Sequence, residues 1–499
     1  MKYTRSRYRV NKTLRFRLLT DQQKDEIYHA AVEILERTGA RIYSQEAREI
    51  LKKGGCWIDG ENVRFPSGLT EWAVRTAPSR ILIYNRNGEK AMEVGSNNTY
   101  FGPGPTNTYH MDVYTEERRT PVTGDNENVA KVCDYLENID FVMDLGTPRD
   151  VTLTLSDVYA FRAMVTNTTK PVVHWGFDID QYNDIVEIAS IIAGGLEELQ
   201  KRPFIALYSE SSPPLVHSGE AINKAIFAAK KRLPIIYTPC VIAGATAPAT
   251  LAGTIAQGLA ESLPGVIVSQ LIREGSPIII GGVYGIMDMK TTVYSYGSPE
   301  FQVMQAGIAE VAHYIGMPVF GTAGCTDSHI LDAQAAAEAA MSILMAALSG
   351  ANLVHDVGYT ASGATGSLFQ LVMGNEIIGM VKRIIRGFSV NEYTLAVDEV
   401  VKAKPGGEHV TSTHTYNNFR KETWFPGFMD RWRYNEWKTM KGAKSMGDKI
   451  KEKTKKILKT HSPPELPEKI LEEIDAVIKE AEERELKKAE KSRSKKRKR

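Results

Sequence analysis

The sequence is poor in cysteine and lacks the short motifs that mark several enzyme classes. It contains no HxH or HExxH pair, no GxSxG, no GxGxxG after the first predicted strand and no GxxxxGK[ST]. These absences argue against zinc-hydrolase barrels, serine hydrolases with a nucleophile elbow, and nucleotide-binding folds. No CxxC pair occurs either, so we predict reduced thiols rather than disulfides or a zinc knuckle at the four cysteines, Cys56, Cys133, Cys240 and Cys325.

Long apolar runs are also scarce. No window approaches the roughly 18 unbroken apolar residues that a membrane helix needs. The first residues, MKYTRSRYRVNKTLRFRLL, lack the apolar segment of a signal peptide. We therefore predict a cytoplasmic protein with no membrane partner.

The net charge of +2 conceals an uneven distribution along the chain. Residues 487–499 hold nine basic residues and one acidic residue, a net charge of +8, which leaves −6 for all the others. Such a run can bind nucleic acid, an acidic membrane or an acidic protein. One basic tail does not make a nucleic-acid-binding fold, so we interpret the run as a disordered solubilising tail and expect no nucleic-acid partner.

Residues 99 to 357 repeat one unit: a short apolar run, a loop of small or polar residues, and a stretch with helical periodicity. Strands that alternate with crossover helices predict a parallel sheet, and eight units favour closure into a (β/α)8 barrel over an open doubly wound sheet. The eight runs are TYFG (99–102), FVMDLG (141–146), PVVHWG (171–176), PFIALYS (203–209), PIIYTPC (234–240), PIIIGG (277–282), PVFGT (318–322) and ANLVHDVG (351–358).

The segments that flank the repeats complete the predicted architecture, an α/β (β/α)8 TIM barrel with additions at both ends. Residues 1–97 read as a helical and hairpin subdomain, because DQQKDEIYHAAVEILERTG is amphipathic and Asn87-Gly88 is typical of a hairpin turn. The barrel is assigned to residues 98–388. An aromatic arm and helices follow over residues 389–486, and the basic tail occupies residues 487–499.

In a barrel of this kind, the loops after the carboxyl ends of the strands build the site. The residues at these positions are rich in aromatic side chains and poor in paired metal ligands. They are Phe101, Gly102, Asp144, Arg149, His174, Trp175, Tyr208, Glu210, Thr238, Cys240, Gly282, Tyr284, Cys325, Asp327, His355, Asp356 and Tyr359.

These residues permit three interpretations. Cys240, Cys325 and His355 end three strands and could converge on zinc, although buried cysteines are often only small apolar residues. Cys325 could be a nucleophile if His329 or His355 served as its base. Alternatively, a quaternary ammonium group could be enclosed by cation–π attraction and balanced by Glu210 or Asp327. The aromatic residues proposed to enclose it are Trp175, Tyr208, Tyr284 and Tyr359.

Three stretches resemble the trimethylamine methyltransferase superfamily. They are GGVYGIMDMKTTVYSYGSPEFQVMQAGIAEVAHYIGMPVFGTAGCTDSHILDAQAAAEAAMSILMAALSGANLVHDVGY, HTYNNFRKETWFPGFMDR and EIYHAAVEILERTGARI. The resemblance extends over about residues 20 to 460, and its paired blocks SPE(x)nDAQ and HT(x)3FR are specific to the superfamily. It implies a barrel enzyme that moves a methyl group from an amine to the cobalt of a separate corrinoid protein. The chain itself would then hold no tightly bound cofactor and no metal.

The chain departs from the founding trimethylamine enzymes in one respect. Those enzymes carry pyrrolysine in the barrel, whereas this chain shows only the standard twenty residues. Members without pyrrolysine are similar to quaternary amine demethylases, so the resemblance implies a substrate such as glycine betaine, proline betaine or carnitine. A methyl group on a quaternary nitrogen leaves behind a neutral tertiary amine, so its transfer requires no general acid.

The resemblance also suggests roles for the residues at the strand ends. We expect His355 and Asp327 to act at the reacting centre, with Asp327 and Glu210 balancing the cation. Asp356 would position polar groups of the substrate or neighbouring side chains. The walls of the pocket would be formed by Trp175, Tyr208, Tyr284 and Tyr359. The donor for a substrate carboxylate is left open among Arg149, Lys290 and backbone amides.

Two alternative functions stay open. The oligomeric state is also open. One alternative is a zinc-dependent methyltransferase that uses Cys240, Cys325 and His355. The other is a non-catalytic barrel scaffold that binds a partner through its basic tail. Family members resemble homo-oligomers, and we expect the aromatic arm around Trp424, Phe428 and Trp432 to cover a neighbouring copy.

Overall fold

The amino-terminal segment folds as helices and short strands that pack on the outside of the barrel. The computed structural model describes residues 16–497, with side chains as far as residue 490. The first helix begins after Thr20, whose hydroxyl accepts from the amide of Gln23 while the Gln23 side chain accepts in return. The elements are α1 (Asp21–Arg37), β1 (Ala40–Ile42), α2 (Gln45–Lys53), β2 (Trp57–Asp59), β3 (Asn62–Arg64), α3 (Ser67–Thr76), β4 (Arg80–Tyr84) and β5 (Lys90–Gly95).

The region from residue 98 to residue 388 alternates strands with helices, as the repeat predicts. A 3-10 helix, Leu153–Leu155, precedes the second of these helices. The helices are α4 (Thr123–Tyr135), α5 (Ser156–Thr166), α6 (Ile179–Ala193), α7 (Leu196–Lys201), α8 (Gly219–Lys231), α9 (Leu251–Ile272), α10 (Pro299–Tyr314), α11 (Ala333–Ser349) and α12 (Leu368–Arg386). The strands are β6 (Tyr100–Phe101), β7 (Tyr109–Met111), β8 (Arg118–Arg119), β9 (Val172–Trp175), β10 (Ile205–Glu210), β11 (Val216–His217), β12 (Ile235–Thr238), β13 (Cys240–Ala243), β14 (Ile278–Gly281), β15 (Val283–Met287), β16 (Tyr294–Ser295), β17 (Val319–Thr322), β18 (Leu353–His355), β19 (Tyr359–Thr360) and β20 (Thr365–Gly366).

Seven of the eight predicted runs form one sheet with parallel pairing throughout, in the order β6-β18-β17-β14-β12-β10-β9. The remaining run, FVMDLG, is not a regular strand, because only Val142 makes a bridge to Val172 of β9. On its other side, the amides of Asp140 and Phe141 donate to the carbonyl of Phe101 in β6, at 2.6 and 3.4 Å. The run thereby joins the two edges of the sheet, and the predicted barrel is confirmed.

Side chains that alternate along the strands fill the interior of the barrel. Interior residues include Val173, Ala206 and Tyr208, Ile236, Ile279, Phe320 and Leu353, which pack in one cluster. The hairpin of β4 and β5 adds Ile81, Ile83, Met92 and Val94 to the same cluster. This hairpin of the predicted amino-terminal subdomain therefore fills the floor of the barrel. The opposite end, at the carboxyl ends of the strands, is left for a site.

Two small sheets rise above that open end. β12 and β14 continue past the barrel as β13 and β15, which pair in parallel, and β16 pairs antiparallel with β15. Gly282 joins β14 to β15 with φ +127°, and a Cβ there would lie 2.3 Å from the carbonyl oxygen of Pro239, so glycine is required. The second small sheet has the order β19-β20-β7-β8. Both sheets carry loops that reach over the barrel mouth.

The carboxyl-terminal segment is helical, as predicted. Its helices are α13 (Glu392–Leu395), α14 (Val397–Ala403), α15 (Thr413–Glu422), α16 (Tyr434–Met440), α17 (Met446–Thr460) and α18 (Glu468–Arg497). Arg484 of α18 forms a two-pronged ion pair with Asp184 of α6, and Asp475 accepts from Arg162 of α5 at 2.7 Å. α18 runs to Arg497, so the chain is helical over most of the segment predicted as a disordered tail. Lysine, arginine, glutamate and alanine are good helix formers, which explains the difference.

One helix among the described residues, Leu251–Ile272, is long and apolar enough to cross a membrane. Its most apolar window is 78% buried inside the protein, where α9 packs against α1, α3 and α8. Its apolar character therefore matches the packing of a core helix.

The side chain of Asn352 links the last barrel strand to its neighbours. Asn352 is fully buried directly before β18. Its Oδ1 accepts from the amide of Val319 in β17, and its Nδ2 donates to the carbonyls of Ser96 and Asn98, each at 2.9 Å. Three backbone groups at the barrel wall thus depend on one side chain.

We expect Asn352→Leu to lower the free energy of unfolding by about 2–5 kcal/mol, because it leaves buried backbone groups without partners. Asn62→Leu is the matched control, since Asn62 is exposed on β3 and its side chain has no hydrogen bond within the described part of the chain. Urea unfolding followed by circular dichroism measures both variants. Equal stability of the two variants would contradict the assigned role of Asn352.

Candidate functional site

A cavity of about 390 Å³ lies at the carboxyl ends of the barrel strands, a size suited to a small molecule. Six of the eight predicted site residues line it: Trp175, Tyr208, Glu210, His355, Asp356 and Tyr359. Glu210 and Glu220 are exposed and lie on its open side. The other lining residues are Pro105, Thr106, Gly176, Ser209, Ser218, Ala221, Lys224, Cys240, Val283, Tyr296 and Gly363.

Trp175 is held in place from behind by a buried carboxyl group. Its indole Nε1 donates to Oδ2 of Asp144 at 2.6 Å, and the other oxygen of Asp144 accepts from the amide of Thr106 at 2.8 Å. Phe177 packs edge-on against the indole ring, with 4.9 Å between ring centroids. The orientation of the ring is therefore fixed before any ligand enters.

Tyr208 and Glu210 are two residues apart on β10, so both point toward the barrel interior. The hydroxyl of Tyr208 donates to Oε1 of Glu210. Desolvation raises the pKa of Glu210, while the hydrogen bond from Tyr208 and the charge of Lys224 oppose that rise. Glu210 makes no ion pair within 4.0 Å in the described chain, and its carboxylate faces the cavity.

His355 and Asp356 form a buried pair at the end of β18. Nδ1 of His355 lies 2.8 Å from the carbonyl of Gly321, which can only accept, so Nδ1 carries the proton. Nε2 then lies as an acceptor 3.3 Å from Oδ1 of Asp356. Burial lowers the pKa of His355 to about 3 and raises the pKa of Asp356 well above its ordinary value. Both shifts favour the uncharged form of the side chain concerned.

Tyr359 and Tyr296 form the wall on the β18 side, with 6.0 Å between their ring centroids. The hydroxyl of Tyr359 donates to the carbonyl of Pro105. A Cβ on Gly104 would lie 2.0 Å from Oδ1 of Asp356 and 2.4 Å from the ring of Tyr359. Glycine at this position therefore lets the loop after β6 approach the site closely.

Asp327 does not line the cavity, contrary to the expectation that it balances the charge of a bound cation. Its carboxylate accepts from the hydroxyls of Ser295 and Ser362 at 2.5 and 3.0 Å. It also accepts from the amides of Tyr296 and Gly297 at 2.9 and 3.1 Å. Asp327 therefore anchors the loop that carries Tyr296, which makes it a positioning residue.

Among the described residues that line the cavity, Tyr284 is also missing. It lies on β15 next to Val283, and only Val283 of the two faces the cavity, because neighbouring strand residues point in opposite directions. The Tyr284 ring packs instead against Gly258 of α9, where a Cβ would lie 2.3 Å from the ring. Tyr296, and not Tyr284, lines the cavity.

The two cysteines do not support the zinc or nucleophile interpretations. Cys240 lines the cavity, whereas Cys325 is fully buried and does not. Burial raises the pKa of both thiols, and the carboxyl groups around them raise it further. Over residues 16–490, no three His, Cys, Asp or Glu side chains are placed to hold a metal ion. The predicted zinc ligands Cys240, Cys325 and His355 therefore do not converge.

Lys224 and Tyr296 are among the lining residues that sequence analysis overlooked. Lys224 interrupts the apolar run AINKAIFAA on α8, and a lysine within a buried helical face is a detectable anomaly. Tyr296 follows no strand of the predicted repeat, and it reaches the cavity only through the small sheet of β13, β15 and β16. No local pattern in the sequence indicates that extension.

Comparison with known proteins agrees with this architecture. A sequence model of the family described as "Trimethylamine methyltransferase (MTTB)" matches residues 2–485. The chain is 31% identical to trimethylamine methyltransferase MttB of Desulfitobacterium hafniense, over 93% of each chain. It is 28% identical to a glycine betaine methyltransferase of the same species, over 93% of this chain and 97% of that relative.

A solved structure, the monomethylamine methyltransferase MtmB of Methanosarcina barkeri, superimposes with a TM-score of 0.51. It covers 97% of this chain and 93% of that chain at 12% identity, a likeness that supports the fold alone. The match of the family model over nearly the whole chain establishes more. The chain belongs to the trimethylamine methyltransferase family, whose members here include methyltransferases named for trimethylamine and for glycine betaine.

Proposed function

We propose that the protein transfers a methyl group from a quaternary amine to the cobalt(I) of a separate, cognate corrinoid protein. Glycine betaine, proline betaine and carnitine represent the substrate type. The supporting observation is the cavity itself, in which Trp175, Tyr208, Tyr296 and Tyr359 surround a space that the unpaired carboxylate of Glu210 enters. Aromatic faces and one carboxylate are the groups that attract a quaternary ammonium ion.

The chemistry of a quaternary nitrogen suits this cavity. The acceptor supplies the electron pair for the new bond to the methyl carbon, and the C–N bond breaks with its electrons staying on nitrogen. The product is a neutral tertiary amine, so no proton has to be delivered. The protein's task is then to hold one C–N bond toward the barrel mouth and to exclude water behind it.

The burial of His355 and Asp356 fits this task, because it favours the uncharged form of both side chains. A net negative charge there would hold the ammonium group against the β18 side of the cavity, away from Glu210. An uncharged pair instead shapes the wall and leaves the attraction to Glu210 and the aromatic faces. The positive charge of the substrate disappears on transfer, so these attractions weaken for the tertiary amine and favour its release.

A tertiary amine is the competing substrate class, since several relatives are named trimethylamine methyltransferases. Such a substrate must be protonated or otherwise activated before its methyl group can leave. The chain contains only the standard twenty residues, so no unusual electrophilic residue is available in the barrel. This favours the quaternary class.

We expect methyl transfer from at least one betaine and none from trimethylamine. The measurement incubates the protein with reduced cobalamin and each of glycine betaine, proline betaine, carnitine, choline, trimethylamine and dimethylamine. Methylcobalamin is followed by its absorption spectrum. Transfer from trimethylamine alone would overturn the quaternary assignment, and no transfer from any amine would favour a non-catalytic scaffold.

Glu210→Gln is expected to raise KM for the betaine about ten- to hundredfold with a smaller effect on kcat, because it removes the charge opposite the ammonium group. Glu274→Gln, an exposed carboxylate outside the cavity, is the control. Desolvation by the cavity wall raises the pKa of Glu210, so on acidification wild-type KM should begin to rise at a higher pH than an ordinary glutamate predicts. A pH profile measured on both variants tests this: an acid limb that persists in Glu210→Gln would contradict the assignment.

We further propose that the protein is a homo-oligomer. Its interface would include residues 388–440, which contain the aromatic part of the carboxyl-terminal segment. Its helices α13 to α16 contain no buried residue, and short helices without a buried face are marginal in water. Large apolar side chains are exposed there, among them Phe388 at 75%, Phe425 at 58%, Trp432 at 55% and Tyr434 at 67%. Exposed apolar area on this scale favours burial against a second copy.

The double substitution Trp432→Asp and Tyr434→Asp is expected to dissociate the assembly, because it places two charges in an apolar interface. Light scattering coupled to gel filtration measures the mass of wild type and variant. Tyr114→Asp is the control, since Tyr114 is 70% exposed outside the arm. A wild-type protein that runs as a monomer at micromolar concentration would contradict this proposal.

A further inference from the structure

Two opposite charges face the same cavity without neutralising each other. Glu210 and Lys224 both line it. Desolvation lowers the pKa of Lys224, and the negative charges of Glu220, Asp157, Asp178 and Glu210 oppose that shift. In turn, desolvation raises the pKa of Glu210, and the charge of Lys224 opposes that rise. Within residues 16–490, neither side chain makes an ion pair at 4.0 Å or less. An unpaired charge on a buried side chain is costly, so Lys224, which is buried and has no ion pair with Glu210, indicates a ligand that supplies its missing anion.

Lys224 is built into the wall and is not a mobile surface lysine. It lies on α8 with 9% of its surface exposed, and its ammonium donates to the carbonyl of Gly176. The ring of Tyr182 lies 5.4 Å from its Nζ. An ammonium has three donors, and Gly176 is the one hydrogen-bond acceptor that Lys224 has among the described residues. Two donors are therefore left for a ligand.

The amino-terminal end of α8 strengthens the positive character of this end of the cavity. Ser218 caps the helix by accepting from the amide of Ala221, and both residues line the cavity. The helix dipole places partial positive charge at this end. Glu220 also belongs to the first turn, but it is exposed at the open side, where water screens its charge.

We propose that Lys224 binds the carboxylate of a zwitterionic substrate, while Glu210 and the aromatic faces hold its ammonium group. This inference rests on the proposed function and narrows its substrate class to quaternary amines that carry a carboxylate. Glu210 on β10 and Lys224 on α8 are separated along the chain only by the two-residue strand β11, and α8 packs directly against β10. The charges of the substrate must therefore be close together in the molecule, as they are in an amino-acid betaine.

The donors that sequence analysis considered for this carboxylate are not in position. Arg149 and Lys290 are both exposed, and neither lines the cavity. A cationic substrate without a carboxylate would leave Lys224 facing an ammonium group with no anion between them. Lys224 therefore acts as a specificity residue, because it attracts a betaine and repels a simple quaternary cation of the same size.

The test compares two substrates that share the trimethylammonium group, glycine betaine and choline, which has a hydroxyl in place of the carboxylate. For Lys224→Met we expect the Kd of glycine betaine to rise about ten- to hundredfold, the range for loss of one buried charged hydrogen bond. The Kd of choline should stay the same or fall. Lys224→Arg should retain most of the preference. Lys230→Met is the control, because Lys230 lies on the same helix but is exposed and paired with Glu46.

Isothermal calorimetry without any corrinoid acceptor measures these Kd values, so binding is separated from methyl transfer. Binding of glycine betaine that depends on Lys224 but leads to no transfer would support the carboxylate site and reject the proposed function. Equal loss of both ligands in Lys224→Met, with a native circular dichroism spectrum, would overturn the inference and leave Lys224 as a support for Gly176. If Lys224→Met does not fold, the same Kd values are measured for Lys224→Arg and for wild type. If either protein binds choline more tightly than glycine betaine, the inference is overturned.

Discussion

The alternation of side chains along short parallel strands is the constraint on which the rest of this structure depends. Each strand directs every second residue into the barrel, so the last inward residue of a strand necessarily faces the open end. On β9, β10 and β18 these last residues are Trp175, Glu210 and His355. The hairpin of β4 and β5 fills the floor, which leaves that end as the place where a small molecule can enter. The backbone register thus assembles an aromatic ring, a carboxylate and an imidazole without any loop closure.

Hydrogen bonds behind the cavity then restrict the motion of these side chains. Asp144 holds the indole of Trp175. Asp327 holds the loop of Tyr296 through three hydrogen bonds and accepts a fourth from Ser362. Gly104 admits the loop after β6 directly against Asp356. Groups that touch a substrate are therefore supported by groups that do not, which is how a site stays organised while it holds a cation that makes few directional bonds.

Sequence reasoning predicted the barrel and much of its mouth because both follow from a local rule. Short apolar runs that alternate with helical stretches specify the strands, and the positions after them specify the mouth. Trp175, Tyr208, Glu210 and Tyr359 could therefore be chosen from the sequence. The same rule failed for Tyr284, since β14 continues past Gly282 as β15 and the parity of that extension decides which face a residue takes. Asp327 looked like a cation partner because its four donors are distant in sequence. Lys224 lies on a helix, and its approach to the cavity depends on how α8 packs against β10.

The central claim is that the cavity binds a quaternary ammonium ion between aromatic faces and Glu210, with its carboxylate on Lys224. The most direct test is a crystal structure of the protein with glycine betaine bound. The account predicts the trimethylammonium group within about 6 Å of the centroids of Trp175 and Tyr208, and the carboxylate within hydrogen-bonding distance of Lys224 Nζ. A betaine bound outside the cavity, or with its carboxylate against Glu210 and its ammonium group against Lys224, would contradict it.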